Sequence, residues 1–160
     1  MLIQKKSILN KSGFTLIEII FVIILLAIVA ALAYPRFSSV SSIRLNTALD
    51  KLKSDVYYAQ ELAVTTHANC GIFIISPNSY RIYKGGSTAT PALDPATFSD
   101  YDITLDPGIT IATPAAGAKV EFDNFGVPYD GNGALAAEAL IILNGTKTIR
   151  ITPQTGWVHL

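Results

Sequence analysis

From Phe14 to Tyr34 the chain runs 21 residues with Glu18 as its only charge and with no glycine or proline inside. As a helix this stretch would be roughly 32 Å long, about the thickness of a bilayer's hydrocarbon core. A soluble domain would have to wrap it on every side, and the chain beyond residue 69 is too short for that. Lys5, Lys6 and Lys11 are the only charges in the first 17 residues, which predicts a membrane helix with its N-terminus on the cytoplasmic side. A cleaved secretory signal is the alternative, and Ala30, Ala31 and Ala33 supply small residues for its cut. Glu18 weighs against it. A carboxylate in the bilayer costs roughly 2.5 to 3.5 kcal/mol, so an acid there is functional by default and needs a partner.

The residues around Glu18 form a pattern. Lys11-Ser12-Gly13-Phe14-Thr15-Leu16-Ile17-Glu18, then the apolar run and Tyr34-Pro35, resembles the processing site of class III signal peptides in type IV pilins and type II secretion pseudopilins. The resemblance implies that a prepilin peptidase and N-methyltransferase removes residues 1–13 as a basic leader. Cleavage would fall between Gly13 and Phe14, with N-methylation of Phe14, and the helix 14–34 would stay as a transmembrane anchor. It also implies a single-pass protein of the bacterial inner membrane with a periplasmic C-terminal domain. From the lipid, an inner-membrane assembly platform would move it into a helical filament of pilins or pseudopilins. The chemistry agrees, since cutting before Phe14 creates an amine whose charge survives methylation. Glu18, one helical turn later, is its natural counter-ion. Formed between neighbouring subunits, such a pair would set register more than stability.

Pro35 removes a backbone donor and crowds the preceding turn, so it ends or kinks the first helix. In residues 35–69, Leu45, Leu49, Leu52, Val56, Ala59 and Ala63 recur every three to four positions, with Arg44, Asp50, Lys51, Lys53 and Asp55 between them. That is an amphipathic helix to about Thr66, its stripe packing on the chain's own sheet.

Residues 70–160 read as a β-rich globular domain. Cys70 to Ile75 and Tyr80 to Lys84 flank a Ser76-Pro77-Asn78-Ser79 turn. Gly85 to Ser99 reads as a long, loosely specified loop. Ile103–Leu105 and Ile109–Ile111 alternate about Asp106-Pro107-Gly108, Val120 to Phe122 is a short strand, and 124–133 is loop. Ala139 to Leu143 and Thr146 to Thr152 flank Asn144-Gly145, a strong hairpin signal. A two-residue turn there sets Leu140 opposite Ile149 and Ile142 opposite Lys147. The expected class is α+β: a long N-terminal helix on one antiparallel sheet or two.

Tyr58-Ala59-Gln60-Glu61-Leu62-Ala63, Val120-Glu121-Phe122 before Gly126-Val127-Pro128, and the closing Ile149–Val158 with Thr155-Gly156-Trp157 resemble the GspH/FimT group of minor pilins. Members that bind DNA in natural transformation carry arginines just after the final glycine, where this chain has Trp157. Between Gly85 and Glu138 eight acids face one base, Lys119, so nucleic acid is not an expected partner. The formal charge of zero, 12 bases against 12 acids, belongs to the precursor; without residues 1–13 it becomes 9 against 12.

No catalytic or cofactor constellation emerges, and no metal is expected. His67 and Cys70 lack further ligands or an orienting acid. Asp123, Asn124, Asp130 and Asn132 do not match a calcium-loop spacing and read as turn chemistry. Asn144-Gly145-Thr146 fits a glycosylation acceptor that the hairpin already explains. Cys70 could pair with another chain, and Trp157 is either core or an exposed partner contact. The sequence supports a structural filament subunit, with a DNA-binding pilin and a membrane-anchored periplasmic binding protein or enzyme as rivals.

Overall fold

Thr15 starts the first element. Its carbonyl accepts from the Ile19 N–H at 3.3 Å and its hydroxyl from the Glu18 N–H at 3.4 Å, the arrangement of an N-cap. Helix α1 then covers Leu16–Thr66, so the backbone does not end its helix at Pro35. The computed structural model describes residues 13–129, 131 and 133–160, with side chains at 32–40 left aside. The chain divides into two units, Met1–Ser41 and Ser42–Leu160. In the first, the large apolar side chains from Phe14 to Val29 are exposed all round.

The second unit holds the core. Leu49, Leu52, Val56, Ala59 and Ala63 are buried along one face of α1, as their spacing predicts. The helix stops in a Schellman-type cap: His67 takes a left-handed φ of 51° and the Ala68 N–H reaches back to the Ala63 carbonyl. Strands follow, all paired antiparallel: β1 (Cys70–Ser76), β2 (Ser79–Tyr83), β3 (Asp102–Thr104), β4 (Ile111–Thr113), β5 (Lys119–Phe122), β6 (Pro128–Tyr129), β7 (Ala139–Leu143), β8 (Lys147–Ile151) and β9 (Val158–His159). They make two sheets, ordered β3-β2-β1-β5-β6 and β4-β7-β8-β9. Ile72 pairs with Ile82 and Val120, and Ile74 with Tyr80, which puts one apolar face of the larger sheet into the core. The fold is α+β and pilin-like, a helix packed on antiparallel sheets.

Four sequence expectations change. Residues 103–105 and 109–111 do not form a hairpin, because β3 joins β2 while β4 joins β7 in the other sheet. Leu105 and Ile111 donate to the Asn78 and Pro77 carbonyls, so the segment crosses between sheets over the β1–β2 turn. The β7–β8 register lies one residue from a two-residue turn, with Ile141 opposite Ile149 and Leu143 opposite Lys147. Asn144 and Gly145 still carry left-handed φ of 48° and 66°. The shift puts Ile141, Leu143, Ile149 and Ile151 together on the buried face, whereas the other register would bury Leu140 and Ile142. The 85–99 stretch is not loose: Ala92 is buried and donates to Ile82 O, and Tyr101 donates to Ala92 O. Finally, 124–133 contains β6, an edge strand on β5.

Candidate processing and assembly site

Gly13, Phe14 and Glu18 sit together at the start of α1. A Cβ on Gly13 would meet no atom within 4 Å, so nothing in the chain's own packing requires glycine there. Phe14 is 78% exposed, and the exposed Glu18 takes the third helical position, with no ion pair among the described residues. A new amine at Phe14 would lie one turn before that carboxylate. Lys5, Lys6 and Lys11 lie outside the described residues. Among the described residues no helix is long and apolar enough to cross a membrane.

A second acid on α1 is handled differently. Asp55 is 1% exposed and accepts from Tyr80 Oη at 2.6 Å, from Tyr101 Oη at 2.9 Å and from Lys51 Nζ. A buried carboxylate needs such donors to offset lost hydration. Burial, reinforced by Asp55, pushes the Tyr80 phenol well above its ordinary range. Burial alone would lower Lys51, but its bonds to Asp55 and Tyr101 outweigh this and raise it. Sequence reasoning placed Asp55 on the polar side of the stripe. The one clue was Lys51 one turn earlier; the two tyrosines arrive from distant segments.

Three motifs far apart in sequence converge on Gln60. Its Nε2 donates to Gly126 O at 2.8 Å, and a Cβ on Gly156 would lie 2.3 Å from both Gln60 Nε2 and Gly126 O. Tyr57 Oη donates to Val158 O at 2.7 Å beside them. Helix, loop and C-terminal segment are therefore fastened at one point, and only glycine fits at position 156, where φ is 66°.

The other candidates resolve individually. Cys70 is wholly buried against Thr66, which removes it from pairing with another chain, and His67 serves the helix cap. Asp123 Oδ1 accepts from the Phe125 and Val127 N–H groups at 2.9 Å, an Asx-type turn. Asp130 and Asn132 lie outside the described residues. Among the described residues, no group of three His, Cys, Asp or Glu is placed to hold a metal ion. Asn144 has both ends of its amide engaged, with Oδ1 accepting from Thr110 N and Nδ2 donating to Gly108 O. Trp157 is exposed rather than core, stacked on His159 at 4.5 Å.

Compared with known families, residues 8–34 match the prokaryotic N-terminal methylation motif. No characterised protein and no solved structure matches the chain.

Proposed function

We propose that this chain, which carries the N-terminal methylation motif that marks type IV pilins and pseudopilins, is a structural filament subunit of the GspH/FimT-like minor group. The observation that carries the reading is the motif over residues 8–34, with an exposed Gly13–Phe14 bond just ahead of a capped apolar helix. Prepilin peptidase cuts after Gly13 and methylates Phe14. The helix 14–34 then holds the chain in the inner membrane, with residues 70–160 in the periplasm. Pro35 supplies any bend between the membrane half of α1 and its amphipathic half, 35–69. Assembly exchanges lipid contacts for helix–helix contacts, and Glu18 meets the amine of an adjacent Phe14. The protein's own role is mechanical rather than catalytic.

The acid-rich segment from Gly85 to Glu138 gives no electrostatic footing for DNA, so the role is secretion or pilus assembly. Deleting the gene and scoring both exoprotein secretion and surface pili tests this. Loss of either is expected, and retention of both contradicts the reading. Gly13→Val should leave the leader attached, which intact mass of the membrane form reads directly.

A further inference from the structure

The filament reading leaves one face of the larger sheet unused. In register across β3, β2, β1 and β5 stand Asp102, Arg81, Phe73 and Lys119. Tyr83, Gly71 and Glu121 share that face in the neighbouring row, since side chains two apart on a strand point the same way. The residues between, Ile72, Ile82 and Val120, turn into the core. Phe73 is half-buried, so an aromatic ring stands between two cations with part of its surface not covered by the fold. It lines a cleft of ≈ 540 Å³ between residues 86–88 and residues 117–119, a volume in the range of small-ligand sites.

The charges around the cleft are already matched. Lys119 Nζ pairs with the buried Glu121, and Arg81 grips Asp102 through Nε at 2.6 Å and Nη2 at 2.7 Å. Arg81 Nη1 also donates to the Thr88 carbonyl at 3.4 Å, which ties this ion pair to the rim of the cleft. Two cations and two acids leave no surplus charge for an ionic ligand. Unused hydrogen-bonding capacity lies beside them. Lys119 Nζ stands 5.9 Å from the centre of the Tyr83 ring, whose wholly buried hydroxyl has no hydrogen-bond partner among the described residues. Gly71 makes room for that hydroxyl, because a Cβ there would lie 2.9 Å from it. Gly86, on the cleft wall, places no side chain over Glu121 Oε1, which a Cβ would approach to 4.0 Å.

A ring face, two hydroxyls and matched ion pairs suit a ligand that is uncharged, densely hydroxylated and apolar on one side. We infer that the cleft binds a neutral oligosaccharide. One pyranose ring lays its C–H face on Phe73, whose π-face is electron-rich. The sugar hydroxyls bond to Ser87, Thr88 and Lys119. An anion would need an unmatched cation, and an apolar peptide would need a floor wider than one phenyl ring. The inference goes beyond the filament reading and does not depend on it.

Amide NMR of the isotope-labelled full chain, held in a zwitterionic detergent that carries no sugar, tests the site. Triacetylchitotriose and cellotriose are the probes, with inorganic phosphate as the anionic comparison. At least one of the two sugars should shift the Gly86, Gly117 and Ala118 amides with a Kd of about 1 mM or tighter. Phe73→Ala should weaken that binding at least about tenfold. Ser87→Trp fills the cleft from an exposed position and should abolish the shifts while the rest of the spectrum stays folded; it decides the matter if Phe73→Ala unfolds. Because the ligand is uncharged, raising sodium chloride from about 0.05 M to about 0.5 M should leave Kd within about twofold. Silence from both sugars overturns the inference. So do shifts that survive Ser87→Trp, sugar binding that fades with salt, or a response to phosphate alone.

Discussion

Glu18 and Asp55 are carboxylates on one helix with opposite surroundings. Asp55 has its partners inside the domain, two tyrosine hydroxyls and a lysine. Glu18 has no ion pair among the described residues, and the filament account assigns it the amine of another subunit. The two should therefore fail differently. Glu18→Ala should leave processing and domain stability intact while depleting the chain from filaments, measured by immunoblot of sheared filaments against membranes. Undiminished incorporation would contradict the register role. Asp55→Ala strands two buried hydroxyls, and should cost roughly 3 kcal/mol of stability in denaturant titration of the full chain in detergent. Tyr80→Phe should cost roughly 2 kcal/mol, since it removes one hydrogen bond to a charged acceptor.

Helix and hairpins were legible in the sequence to different depths. The stripe from Leu49 to Ala63 follows from periodicity alone, because a helix face is a local property. The β7–β8 hairpin was legible as a hairpin but not in register. Asn144-Gly145 signals the turn, yet burial of Ile141, Leu143, Ile149 and Ile151 decides the pairing, and that depends on the core they meet. The split of β3 from β4 was hidden for the same reason: the turn at Asp106–Gly108 is real, but its strands find partners elsewhere. The fastening at Gln60 was legible only as motif fragments. Gly156→Ala should test it, since the added Cβ collides with Gln60 and Gly126 O at a left-handed φ. The expected loss is roughly 2 to 3 kcal/mol in the same titration, and an unchanged midpoint would show that the junction yields easily.

At the scale of the whole molecule, the signal separates into an N-terminal segment that matches the methylation motif and a domain that holds itself together. The first is written in contiguous residues, Lys11 to Glu18 and the apolar run, so sequence alone exposes it. The second depends on long-range pairing, which the sequence only outlines. Its internal polar bonds predict a pH response. Burial is the first cause raising the Tyr80, Tyr83 and Tyr101 phenols above their ordinary 10.0. Above that value the folded state holds these protons more tightly than the unfolded chain does. The stabilisation is therefore complete below about pH 10 and falls as pH rises further. The denaturation midpoint should hold up to about pH 9 and drop above about pH 10, and Tyr80→Phe should flatten the fall.

The most direct test of the filament account is the intact mass of the chain recovered from sheared filaments. The account predicts a chain that starts at Phe14 and carries one added methyl group. A filament-associated chain that keeps residues 1–13, or one cut beyond the apolar helix after Ala33, would contradict it.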